Sequence, residues 1–373
     1  MLGGLLFGFG SVWTTLLARQ AARRWVAFRY GIWAAAVAVM AWLAASVDLG
    51  IPGSYDGFSG PPLVIWGRAA AVLWVAVSFS LWLCTWAFRA AGREFHSGRR
   101  RFLGAAGVTA VCGPVVATGF GTYIARKPAK VTTVDLPVAN LHRDLEGLRL
   151  VHLSDIHLSP FLSRRELRRV VDLANELRAN LALVTGDLIT SGSDPLDDCL
   201  AELRRLRADA GVFGCLGNHE IYARAEDYVA AHGRPMGLRF LRGEAETLRF
   251  GGASLNIAGV DYQRKGSRYL PGAEGLVRAD AANLLLSHNP DVFPVAAAQG
   301  FDAMLSGHTH GGQVRVEILH QSVSPALFYT PYTQGLYTLG RCTAFVTSGV
   351  GTVGVPVRLG TEPEIALISL KRG

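Results

Sequence analysis

The chain is poor in cysteine. Its five cysteines (Cys84, Cys112, Cys199, Cys215, Cys342) form no Cys-x-x-Cys and no paired spacing. A disulfide framework and a zinc knuckle are excluded, and the five read as small buried residues. Acid is scarce in the first third: residues 1–130 hold three Asp/Glu against thirteen Lys/Arg. The remainder holds 24 basic and 26 acidic groups, so the formal net charge of +8 belongs to the N-terminal region. A nucleic-acid footprint on the rest is excluded on charge. Internal repeats and low-complexity tracts are missing as well, which excludes a repeat array. What is abundant is apolar. Half of the 373 residues are hydrophobic and the mean hydropathy is positive, which leans toward the membrane class in a chain too long for one ordinary domain.

Residues 1–125 read as four apolar runs, about Leu2–Leu17, Trp25–Ser46, Leu63–Phe88 and Phe102–Ile124. A spanning helix needs roughly 20 apolar residues, which three of the runs supply and the first only just approaches. Trp66, Trp82 and Trp86 suit the interfaces where indoles settle, and Arg68 is placed to snorkel. The first connection carries Arg19, Arg23 and Arg24. The second, around Ile51–Pro61, has Asp56 and no cation. The third carries Arg89, Arg93, Arg99, Arg100 and Arg101. Positive loops stay in the cytoplasm, so everything after residue 125 is expected on the periplasmic or extracellular side. Arg126, Lys127 and Lys130 are out of place in that scheme. Arg99-Arg100-Arg101-Phe102-Leu103 reads either as a twin-arginine export signature or as an ordinary positive-inside anchor, and both give the same orientation.

After a polar linker, residues 126–147, strands alternate with helices from residue 148 to 373. Leu148–Leu153, Leu181–Thr185 and Val212–Leu216 read as strands, followed by Leu238–Leu241, Leu255–Ala258, Leu284–Leu286, Ala303–Leu305, Ala344–Thr347 and Ile365–Ile368. Ser163 with Glu166 makes a capping box, opening a helix with Leu167, Val170, Val171, Ala174 and Leu177 at helical spacing. Its outer face carries Arg164, Arg165, Arg168 and Arg169 and reads as solvated. Asp194 and Pro195 start a second helix, with Leu196, Leu200, Leu203 and Leu206.

Polar patches sit directly after five of these strands, where α/β proteins collect ligands. They are Ser154-Asp155-Ile156-His157, Gly186-Asp187, Gly217-Asn218-His219-Glu220, Ser287-His288-Asn289 and Gly307-His308-Thr309-His310. Five of the ten histidines lie in them. Two carboxylates, one Asn amide and neutral imidazoles form a mixed oxygen and nitrogen donor set. It suits two divalent ions of the Mn, Fe, Co, Ni or Zn group rather than calcium.

This order of motifs resembles the calcineurin-like metallophosphoesterases over about residues 147–370. The resemblance implies a four-layer αββα sandwich, here behind a bundle of four transmembrane helices. It implies that Asp155, His157 and His310 hold one ion, that Asn218, His288 and His308 hold the other, and that Asp187 bridges them. It makes His219 the group that faces the scissile phosphate and stabilises or protonates the leaving oxygen, with Glu220 orienting it. Two cations about 3.5–4 Å apart would clamp an anionic phosphoester and acidify the attacking water. The tail Gly349-Val350-Gly351-Thr352, Pro356-Val357-Arg358-Leu359 and Pro363-Glu364 is similar to a membrane-linked bacterial branch of the family. Some members of that branch hydrolyse UDP-2,3-diacylglucosamine in lipid A synthesis.

The expected protein is a multi-pass enzyme of the bacterial inner membrane. It would cleave a lipid-linked phosphodiester or pyrophosphate, with membrane lipids rather than nucleic acid as partner. The alternatives are the lipid A pyrophosphatase and a non-catalytic sensor or scaffold.

Overall fold

A computed structural model of the chain describes residues 2–46, 61–90, 113, 116–318 and 321–373. The chain divides into two compact units, Met1–Tyr123 with Gly354–Val357, and Ile124–Val353 with Arg358–Gly373.

The first unit contains helices α1 (Leu2–Arg24), α2 (Arg29–Ser46) and α3 (Pro62–Ala90). Small residues let them approach: Gly10 of α1 lies against Leu43 and Val75, where a Cβ would press on both. Trp74 Nε1 donates to Thr14 Oγ1 at 3.0 Å, and the Trp13 and Trp82 rings meet at 4.4 Å. Among the described residues two helical stretches, Val26–Ala44 and Pro62–Trp82, are long and apolar enough to cross a membrane. Of the four helices expected to cross, the first does not meet that standard. Gly, Ser and Thr dilute the middle of α1, and Arg19, Arg23 and Arg24 lie on its last turns rather than in a loop. Residues 102–112 and 114–115 of the fourth run, and Arg99–Arg101, fall outside the described residues. The remainder of that run is helical over 116–125 (α4).

The second unit runs β1 (Lys130–Val138), β2 (Arg149–Leu153), α5 (Arg164–Glu176), β3 (Leu181–Thr185), α6 (Leu196–Leu203), β4 (Val212–Cys215), α7 (Asn218–Tyr222), α8 (Glu226–Gly233) and β5 (Leu238–Phe240). It continues with β6 (Glu244–Phe250), β7 (Ala253–Gly259), β8 (Ala282–Leu286), α9 (Phe293–Gln299), β9 (Ala303–Ser306), β10 (Val316–Ile318), β11 (Gln321–Val323), β12 (Gly335–Leu339), β13 (Cys342–Val346) and β14 (Glu364–Arg372). Two six-stranded sheets result, ordered β1-β14-β2-β3-β4-β5 and β12-β13-β9-β8-β7-β6. Strands β2 to β5 are parallel, as are β13, β9, β8 and β7.

Alternation along each strand builds the layers. Leu181 and Leu183 of β3 enter one core with Leu284 and Leu286 of β8, Leu305 of β9 and Phe345 of β13. Ala182 and Val184 face the opposite way and pack with Leu167, Val171 and Ala174 of α5 and Leu200 and Leu203 of α6. On the far side Leu285 and Met304 pack with Phe293 and Ala296 of α9. The expected mixed α/β sandwich, with helices outside two sheets, is therefore present. Because both faces of the central strands are covered, they read as continuous apolar runs.

Helix α5 begins as its capping box dictates, Ser163 accepting from the backbone of Glu166 and Glu166 returning the bond. Its arginines are not simply solvated. Arg164 and Arg168 each reach the buried Glu202 of α6 at 2.7 Å, which holds that carboxyl down to about 2. A further difference is β1, which occupies part of the stretch expected to be linker and pairs in parallel with β14, Lys130 opposite Glu364.

Candidate metal centre

The five patches converge beyond the carboxyl ends of β2, β3, β4, β8 and β9. The first three belong to one sheet and the last two to the other. Three overlapping groups of donor atoms lie together: Asp155, His157 and His310; His157, Asp187 and His219; and Asp187, His288 and His308. Asp187 Oδ2 is 3.0 Å from His288 Nε2 and 3.5 Å from His157 Nε2. His310 Nε2 is 3.3 Å from Asp155 Oδ1 and 3.2 Å from His157 Nε2. His308 Nδ1 is 3.2 Å from His288 Nε2. The buried Oδ1 of Asn218 has no hydrogen-bond partner. An orphaned buried acceptor and imidazole nitrogens aimed at one another suit a cation between them better than they suit each other.

The backbone is bent to make this possible. Asp155, His157, Asp187, His308 and His310 all have left-handed φ, between 48° and 74°. For residues with a Cβ this costs about 1–2 kcal/mol each. Such strain persists only where the surroundings enforce it, as functional sites do. Close approach is enforced by glycine: a Cβ on Gly217 would overlap the Asp187 carboxylate, and one on Gly307 would overlap Ser154 and Asp155.

Outer contacts fix the rings. His288 Nδ1 meets the Thr185 carbonyl and His219 Nδ1 the Thr190 carbonyl, each at 2.6 Å. His157 Nδ1 meets Thr190 Oγ1 at 3.2 Å. Burial lowers His308 to about 4 and holds His157 and His310 below the ordinary imidazole range, so these rings keep a free lone pair. Burial also opposes charge on His288 and Asp187, but their mutual attraction prevails. His288 is raised to about 10 and Asp187 is held well below the usual carboxylate range.

All nine residues singled out in the sequence are brought to this place, with one change of part. The Glu220 side chain shares no hydrogen bond with His219. Its buried carboxylate accepts from the backbone N–H of Gly217 at 2.8 Å, Asp187 at 2.9 Å and Leu188 at 2.7 Å, and so braces the turn that carries Asp187. His219 takes its orientation from Thr190 instead.

Arg358 was not expected here. Fully buried, it donates to the carbonyls of Ser348, Gly349 and Gly351. Val350 and Gly351 in turn donate to the carbonyls of Ser154 and Asp155, at 3.0 and 2.7 Å. The side chain thus pins the loop beneath Asp155. Only the Pro-x-Arg tail pattern pointed to it in the sequence. Tyr262, 5.3 Å ring to ring from His308, had no sequence signal.

Comparison with known proteins agrees with the geometry. The calcineurin-like phosphoesterase family profile matches residues 148–312. A zebrafish (Danio rerio) protein named transmembrane protein with metallophosphoesterase domain is 33% identical over 68% of this chain, which spans 60% of that relative. A metallophosphoesterase of Aquifex aeolicus is 30% identical over 60% of this chain and 85% of its own. The phosphodiesterase YaeI of Escherichia coli is 26% identical over 73% of this chain and 98% of its own.

Proposed function

Because the chain belongs to the calcineurin-like metallophosphoesterases, we propose that it is a membrane-anchored, dinuclear metal-dependent phosphoester hydrolase. Asp155, His157, His310 and Asp187 hold one divalent cation, and Asn218, His288, His308 and Asp187 the other. The observation that carries this reading is the buried Asp187 carboxylate, which lies in two of the three donor groups at once. Cations held there would supply the positive charge that clamps phosphoester oxygens and acidifies a water. His219, partly exposed beside Asp187 with Nδ1 tied to Thr190, presents Nε2 to the leaving oxygen and donates a proton there. Purified protein should cleave bis-p-nitrophenyl phosphate with manganese and stop when a chelator removes the metal. Unchanged turnover in metal-free protein would end this reading.

The apolar helices tether the site near headgroups, which favours a lipid-linked phosphodiester or pyrophosphate. UDP-2,3-diacylglucosamine is the specific candidate, and a panel of lipid phosphates and UDP-sugar lipids tests it. We infer from the arginines at 19–24 and 89–101 that the catalytic unit lies on the periplasmic side of a bacterial inner membrane, a placement that requires residues 102–124 to cross as well. Alkaline phosphatase fused after Gly373 should then be active, and green fluorescent protein exported by the general secretory route should be dark. The opposite pair of readouts would reverse the topology.

A further inference from the structure

One exposed surface beside the centre has no part in the chemistry above. The segment 324–330, Ser-Pro-Ala-Leu-Phe-Tyr-Thr, carries no charge. Its ends are anchored: Ser324 and Thr330 are buried, and Ser324 packs on Gly312, two residues after His310. Its middle points outward, with Phe328 86%, Tyr329 71% and Leu327 45% exposed. Val316 and Val323, opposite one another across β10 and β11, are exposed as well. A soluble surface rarely presents so much apolar area together unless something covers it.

The neighbouring segment, 263–270, carries Arg264, Lys265 and Arg268, all exposed, and no carboxylate. The two segments touch, because Lys265 Nζ donates to the Tyr329 carbonyl. Tyr262, at the root of the second segment, lies against His308. An uncharged aromatic tip with a cationic flank is complementary to one kind of surface, apolar beneath and anionic above. That is the interface of an anionic bilayer, where Tyr and Phe settle among the headgroups and each Lys or Arg near the surface strengthens binding about fivefold.

We propose that residues 323–329 insert into the headgroup region of an anionic membrane while Arg264, Lys265 and Arg268 bind its phosphates, holding the metal centre at the lipid surface. The inference rests on the membrane-anchored hydrolase reading above.

The test uses the full chain in lipid nanodiscs holding one copy each. They are made of phosphatidylcholine alone or with phosphatidylglycerol. Phe328→Cys carries an environment-sensitive NBD label, and labelled wild type supplies the background. In the mixed discs the label should brighten several-fold, be quenched by nitroxide-bearing lipid and be shielded from aqueous iodide. Arg264→Glu with Lys265→Glu should reverse these changes in the mixed discs and alter little in phosphatidylcholine. A label that iodide reaches equally in both discs overturns the proposal. So does a dry label that lipid nitroxide fails to quench, since the tip would then be covered by protein. Hydrolysis of bis-p-nitrophenyl phosphate in the same discs reports separately on the hydrolase. If it is present and the tip is wet, the surface inference fails alone; if it is lost even in wild type, the functional reading fails.

Discussion

The two sheets differ in plan: the second flanks a parallel centre with antiparallel edge strands, whereas the first sets the parallel pair β1 and β14 antiparallel to the parallel run β2–β5, and they equip the centre differently. The first sheet brings both carboxylates, Asp155 and Asp187, together with Asn218, His157 and His219. The second brings imidazole alone, His288, His308 and His310. Negative charge is thus confined to one sheet, and neither sheet holds a complete set. The centre exists only because the sheets are packed, and backbone contacts across the seam enforce the register. His308 N–H donates to the Asp155 carboxylate at 3.0 Å, and His288 bonds the Thr185 carbonyl. Local strain is the cost of that assembly.

The difference can be broken first at its charged side. Asp187→Asn should abolish binding of both cations and reduce hydrolysis to background, whereas His308→Ala should halve the metal content. Metal analysis after gel filtration checks both, and equal losses would erase the distinction between the sheets. His219→Ala should keep the full metal content yet lower turnover by roughly 10²–10⁴, most for poor leaving groups. If it strips metal, His219 belongs among the donors. Glu220→Gln and Arg358→Lys, each bracing a carboxylate from behind, should weaken manganese binding by about 10–100-fold. Titration with a fluorescent chelator as competitor reads this. Gly307→Ala pushes the sheets apart and should destabilise by about 1–3 kcal/mol, seen as a lower denaturation midpoint.

The smallest expected effect is protonic. Without a cation His288 keeps its proton up to about pH 10, so a metal that takes this ring must displace it. Calorimetry in buffers of different ionisation enthalpy should show proton release near pH 8, and manganese affinity should rise with pH. The metal-free protein should behave oppositely. The raised His288 stabilises it fully below about pH 6.5, and that contribution is lost as pH rises through about 10.

The central strands and every candidate ligand were legible because a strand buried on both faces spells itself as an apolar run and stops at a polar turn. The edge strands β1 and β6 were not. Lys130–Val138 and Glu244–Phe250 mix charge and Thr with apolar residues, since one side of each meets solvent. Strand β1 also finds its partner, β14, far along the sequence. Arg358 was opaque for a related reason: its acceptors are backbone carbonyls of a loop whose path no local pattern announces. Glu220 was located but misread, because sequence adjacency to His219 suggested a partner that the helix turn directs elsewhere.

Strand order also sets a clock. In the first sheet β14 lies between β1 and β2, so the strand that delivers Asp155 gains its inner neighbour only from residues 364–372. On a ribosome adding about 5–20 residues per second, β2 waits roughly 10–40 s for that neighbour. During this interval the donors of the first sheet are present without a closed frame, and a stalled nascent chain lacking the last strand should neither retain metal nor resist proteolysis. Maturation of the centre is thereby deferred until residues 364–372 have been made.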